Sequence, residues 1–125
     1  MSVPVDLRYT AEHEWVRFEG DLATVGVTAF ATSALGDVVY VQPPAVGDSV
    51  IAGEVCGEIE STKAVSDLYA PVTGEVVEVN DAAVSNPSLL NSDPFGAGWL
   101  IRIRVRELPG LLDPSAYDEL TRSAG

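Results

Sequence analysis

This chain of 125 residues has one lysine, one histidine and one cysteine, and each scarcity removes a class of chemistry. A single cysteine forms no intrachain disulfide, so nothing here calls for an oxidising compartment. A structural zinc site of Cys and His needs four ligands, and Cys56 and His13 are the only two such residues. Distance in sequence does not exclude a Cys–His pair, but Cys56 sits in a strand-like run between Val55 and Gly57, where a buried thiol is the ordinary reading. Gly96-Ala97-Gly98 lacks the third glycine and the following helix of a phosphate loop and reads as a turn. No apolar run approaches the roughly 20 residues that span a bilayer. Met1 to Thr10, with Asp6 close to Arg8, has neither a signal-peptide core nor an Arg-rich transit pattern, so the cytoplasm is expected.

Cations are also few: 7 against 19 acidic residues, for a formal charge of −12. Such a surface repels phosphate backbones and anionic membranes, which leaves proteins as the expected partners. Every cationic residue except Lys63 is arginine. Arginine replaces lysine wherever charge or solvation is enough, but its guanidinium stays protonated and is not readily acylated. A lone lysine therefore has two readings, a solubilising charge or an amine that is used.

The chain is long enough for one domain with a real core, and too short for several catalytic lobes. Glu14 to Phe18 and Leu22 to Val27 read as a hairpin turned by Glu19-Gly20-Asp21. Thr28 to Leu35 reads as a helix of about two turns, capped by Thr28 and ended by Gly36. Asp37 to Gln42 returns to a strand that Pro43-Pro44 stops. Gly36-Asp37-Val38-Val39-Tyr40-Val41, then Ala45-Val46, is echoed 38 residues on by Gly74-Glu75-Val76-Val77-Glu78-Val79, then Ala83-Val84. Two copies are too few for a solenoid but suit a small β-structure of two similar halves. Ser49 to Ile51, Val55 to Ser61 and Ala64 to Ala70 lie between the copies as short β-prone pieces. Lys63 falls between the last two, at or near a hairpin tip, although Ser-Thr-Lys-Ala lacks an Asn-Gly or Asp-Gly signature.

Pro87 suits the opening of a single helical turn through Leu89 and Leu90. Trp99 to Arg106 alternates cleanly, with Trp99, Ile101, Ile103 and Val105 on one face and Arg102, Arg104 and Arg106 on a solvated one. Asp113-Pro114 caps and opens a helix through about Ser123, with Tyr117 and Leu120 packing it onto the sheet. The carboxylates Glu54, Glu58, Glu60 and Asp67 have no partner set for acid–base work and read as an acidic surround for Lys63. Lacking a catalytic set but keeping one acylable amine, the chain reads as a carrier rather than an enzyme.

The stretch Glu60-Ser61-Thr62-Lys63-Ala64-Val65-Ser66-Asp67 resembles the lipoyl-attachment motif of the glycine cleavage H-protein family. Further segments are similar to that family, in its order: Tyr9-Thr10 with His13-Glu14-Trp15-Val16, Leu35-Gly36-Asp37-Val38-Val39, Pro71-Val72-Thr73-Gly74-Glu75-Val76, Val79-Asn80, and Asn91 through Leu100. Lipoyl domains of 2-oxo acid dehydrogenase complexes share a similar tip, whereas the A-M-K-M of biotin carriers is absent. Thr62 stands where valine is commoner in the family, and Arg102 and Arg104 where many relatives have lysine.

The resemblance implies a mainly β fold, the barrel-sandwich hybrid: a flattened barrel of two quasi-symmetric halves with short helices. It would form one lipoyl-carrier domain over 1–125, with an N-terminal hairpin, a core over about 36–106 and a C-terminal helix over about 114–123. It implies lipoate in amide linkage on Lys63, which would move the formal charge from −12 to −13. Glu60, Ser61, Ala64 and Asp67 would present the tip to a lipoate-attaching enzyme, and Glu14 would line a surface on which the loaded arm rests, against the plainer reading of an exposed strand carboxylate. No catalytic residue and no metal ligand are expected. The implied partners are glycine decarboxylase (P protein), aminomethyltransferase (T protein) and dihydrolipoamide dehydrogenase (L protein), served by a monomeric carrier that passes the aminomethyl group of glycine from the first to the second. The alternatives are a lipoyl or octanoyl relay for other complexes, and an unmodified interaction module of the same fold.

Overall fold

A computed structural model describes residues 4–107 and 110–124. The first strand, β1 (Arg8–Tyr9), pairs with β2 (Glu14–Glu19), which pairs in turn with β3 (Leu22–Val27). Gly20, at φ 63°, is the first of two loop residues between the paired Glu19 and Leu22, where a tight hairpin turn favours glycine. Helix α1 (Ala29–Leu35) follows as expected, with Thr28 Oγ1 accepting the N–H of Ala31 and Gly36 ending it at φ 85°. Then come β4 (Val38–Gln42), β5 (Ser49–Val50), β6 (Val55–Ser61), β7 (Val65–Tyr69) and β8 (Thr73–Val79). Two short helices, α2 (Asp81–Ser85) and α3 (Leu89–Ser92), precede β9 (Ile101–Glu107) and α4 (Pro114–Ala124).

The strands form two antiparallel sheets, one ordered β1-β2-β3-β9-β8-β5 and the other β4-β6-β7. The two echoed segments divide between them: β4 lies in the smaller sheet and β8 in the larger. Their likeness ends with the strands. Ala45-Val46 falls in a turn, whereas Ala83-Val84 falls in α2, a helix the echo had concealed because one apolar pair carries no period of its own. The two sheets are also unequal in size, since β1, β2 and β3 extend only the larger one.

One apolar core lies between the sheets. Val16, Val25, Ile101, Ile103 and Val76 come from the larger sheet, and Val41, Ile59 and Leu68 from the smaller. In β9 the expected alternation holds from Ile101 on, with Ile101 and Ile103 buried and Arg104 and Arg106 exposed. Trp99, expected on the Ile101 face, precedes the strand and packs with the Leu7, Tyr9, Trp15 and Tyr117 cluster instead, because the chain reaches the strand only at Ile101. A second cluster of Leu7, Tyr9, Trp15 and Tyr117 joins α4 to the opposite face of the β1–β2 edge, with Tyr9 and Tyr117 stacked at 4.7 Å. Asp113 caps α4 through Oδ1, which accepts the N–H of Ala116 at 2.8 Å. No helix among the described residues is long and apolar enough to cross a membrane.

Candidate functional site

Lys63 sits at the tip of the β6–β7 hairpin, where Thr62 and Lys63 form a two-residue loop between Ser61 and Ala64. Hairpin loops of this length usually need positive φ, yet neither residue adopts it. Ser61 supplies the missing turn chemistry. Its N–H donates to the carbonyl of Ala64 at 2.8 Å, while its buried hydroxyl accepts the N–H of Ala64 at 3.1 Å and that of Lys63 at 3.3 Å. A serine side chain thus replaces the Asn-Gly signature. Thr62, Lys63 and Ala64 are exposed, and among the described residues the Lys63 ammonium makes no hydrogen bond or ion pair.

The tip is also tied to the corner between α1 and β4. Thr62 donates its N–H to the carbonyl of Asp37 at 3.0 Å. The aliphatic stem of Lys63 runs past Gly36, so closely that a β-carbon there would meet its Cε at 3.5 Å. Asn91, on α3, spans the corner: Oδ1 accepts the N–H of Val38 at 2.9 Å and Nδ2 donates to the carbonyl of Gly36 at 3.0 Å. The segment holding Asn91 was legible as a resemblance, but its contact with residues 53 and 55 positions away was not.

Glu14 is not an exposed strand carboxylate. It shares the core-facing side of β2 with Val16 and is 1% exposed. Oε1 accepts from Thr10 Oγ1 at 2.7 Å and Oε2 from the N–H of Tyr69 at 3.1 Å. Burial pushes its pKa up to about 7, against these two hydrogen bonds, which pull it down. Beside it His13 adopts φ 71°, its carbonyl accepting the N–H of Thr28 at 3.0 Å and its ring lying 4.5 Å from that of Phe30. Tyr117 OH meets both His13 Nδ1 at 2.8 Å and Thr28 Oγ1 at 2.7 Å. Helix α1, about 10 Å long, therefore has the stem of Lys63 at its C-terminal end and the Glu14 neighbourhood at its start. Phe30, Ala31 and Leu35 remain partly exposed along it.

The other expected site residues divide. Glu60 and Asp67 are exposed, on the side of the smaller sheet facing away from the core, and Glu58 pairs in register with Asp67. Glu54 is not part of this surround, because it precedes β6 at the end remote from the tip, about 20 Å away along the strand. Arg102 is more than a solvated charge: it pairs with Glu78, bonds Thr24 Oγ1 at 3.1 Å and lies 4.3 Å over the ring of Trp99. Cys56 is partly buried, and burial, followed by the charge of Glu14, pushes its thiol up to about 12, which suits an inert side chain. No cluster of three or more potential metal ligands occurs among the described residues.

Comparison with known proteins identifies the family and the fold. The family model described as glycine cleavage H-protein matches residues 7–123. The glycine cleavage system H protein of Thermobifida fusca is 60% identical over 126 aligned positions, covering 100% of both chains. That of Beutenbergia cavernae is 62% identical, covering 97% of this chain and 98% of the relative. A crystal structure of a glycine cleavage system H protein from Mycobacterium marinum superposes with a TM-score of 0.92 at 48% identity, covering 96% of this chain and 99% of that one. The chain belongs to the glycine cleavage H-protein family.

Proposed function

We propose that this chain is the lipoate carrier of the glycine cleavage system, a subunit that delivers a bound group and performs no catalysis of its own. One observation carries the reading: the only lysine stands exposed at the tip of a hairpin whose backbone is held by Ser61 and Asp37. Attachment joins Lys63 Nζ to an activated acyl carbonyl. An N–C bond forms, the bond from that carbon to its leaving group breaks, and the ammonium gives up two protons. The lipoyl group would supply a redox-active dithiolane on a long flexible chain, and the protein supplies a fixed base for it. Tethering raises the local concentration of the arm at a docked partner to the order of mM.

The other residues fit supporting roles. Glu60 and Asp67 flank the tip with negative charge suited to basic docking surfaces on the attaching enzyme and on the three partner enzymes. An arm bearing a cationic group would fold back along α1, whose Phe30, Ala31 and Leu35 keep part of their surface open, toward its start near His13 and Glu14. Glu14 lies beneath this end of α1, buried and bonded to Thr10 and the Tyr69 N–H, and a cation reaching it would favour its ionised form.

Intact mass of the protein isolated from its native host under glycine catabolism tests the proposal. One lipoyl group is expected, absent from the Lys63→Arg variant. An unmodified wild-type protein would overturn it.

A further inference from the structure

The tip that bears Lys63 is tied to a corner that turns on a glycine, between the Gly36 N–H bonded to the Thr32 carbonyl at 2.9 Å and Val38 paired with Ser61. Gly36 turns the chain at φ 85° and ψ −158°, a conformation essentially confined to glycine. Asp37 follows, and its carbonyl accepts the Thr62 N–H that fixes the tip. Both neighbours of Asp37 are bound by one side chain, because Asn91 accepts from Val38 and donates to Gly36. Asn91 is itself anchored, since Leu90 beside it is fully buried in the core.

We propose that Asn91 is a positioning residue for acyl attachment at Lys63. This rests on reading Lys63 as the acylated lysine. The amide of Asn91 acts through the Gly36–Val38 corner and the Asp37–Thr62 hydrogen bond, and it sets the place from which Nζ is presented. Without it the corner samples other conformations, and only the fraction of molecules with a native tip engages the attaching enzyme. The apparent affinity falls in proportion to that fraction, while turnover at saturation does not.

The test is lipoate attachment by a lipoate ligase with ATP and free lipoate, with the intact carrier as the varied substrate, alongside amide hydrogen exchange. Asn91→Leu is expected to raise KM for the carrier about tenfold at unchanged kcat and to speed exchange at Thr62 and Lys63. Asn91→Asp keeps an acceptor for Val38 but loses the donor to Gly36, and is expected to fall between wild type and Asn91→Leu; it decides the matter if the leucine variant does not fold. Asn80→Leu is the control. It removes two bonds of the same kind, from Nδ2 to the carbonyls of Ala97 at 2.8 Å and Trp99 at 2.7 Å, neither of them to Gly36, Asp37 or Val38, and is expected to leave KM and tip exchange unchanged. Wild-type KM and tip exchange in the Asn91 variants, or an equal rise in KM for Asn80→Leu, overturns the inference. A wild-type protein that takes no acyl group on Lys63 overturns the carrier reading instead.

Discussion

Tyr69 donates its backbone N–H to Glu14 Oε2 at 3.1 Å, a bond that ties the larger sheet at β2 to the end of β7 in the smaller. The acceptor is a carboxylate with almost no contact with water, and this makes the joint sensitive to pH.

Glu14 has a pKa raised to about 7 from an ordinary 4.5. Between those values the folded protein keeps a proton that the unfolded chain has released. Its contribution is full below pH 4.5 and is lost as pH rises through 7, by up to about 3 kcal/mol. His13 acts in the opposite sense: burial lowers its pKa, so its contribution is present above 6.5 and is lost as pH falls toward the lowered value. Glu14→Gln isolates the first effect. On going from pH 5 to pH 7.5 the urea midpoint of wild type is expected to drop relative to that of the variant, which keeps the His13 effect, and parallel behaviour of the two would rule the effect out.

Ser61→Ala removes the hydroxyl that accepts from both Lys63 and Ala64. The tip then keeps only its backbone bonds from Ser61 to Ala64 and from Thr62 to Asp37, at a cost of about 1 kcal/mol. Amide exchange at Lys63 and Ala64 should accelerate, with residues of β2 and β3 unaffected. Ser61→Thr, which keeps a hydroxyl, should restore most of the protection.

Gly26 is the cross-strand partner of Trp15, and the indole lies across it: a β-carbon there would come within 2.5 Å of Trp15 Cε2. The indole cannot easily move away, since Trp15 is fully buried and its Nε1 donates to the carbonyl of Pro94 at 2.9 Å. Gly26→Ala is therefore expected to cost about 2–3 kcal/mol, seen as a lower urea midpoint and a weakened near-ultraviolet tryptophan band. An unchanged midpoint would show that the indole yields freely.

Cys56, with a thiol pushed up to about 12, carries almost no thiolate at pH 8. Labelling by a disulfide reagent should be slower than for a free cysteine by on the order of a thousandfold, and urea should restore the fast rate. Native labelling as quick as for a free thiol would show the side chain open to solvent.

Much of this protein was determined by local sequence. The β2–β3 hairpin, the caps of α1, the alternation in β9, the Asp113 cap of α4 and the position of Lys63 between two strands all depend on neighbours a few residues apart, where turn chemistry and periodicity act directly. The motif around Lys63 was legible through its family resemblance, whereas the turn that Ser61 builds there carries no Asn-Gly or Asp-Gly signature and emerged only in the structure. Only the tertiary structure decided the rest. It put Glu14 on the buried side of β2 against a strand 55 residues away, made Arg102 part of a pair with Glu78, and gave Asn91 the corner beneath Lys63. The physical reason is that a polar residue's one-letter code states what it donates or accepts and not from whom. Partners for such groups are chosen when distant strands and helices pack, and burial then sets the charge each one keeps.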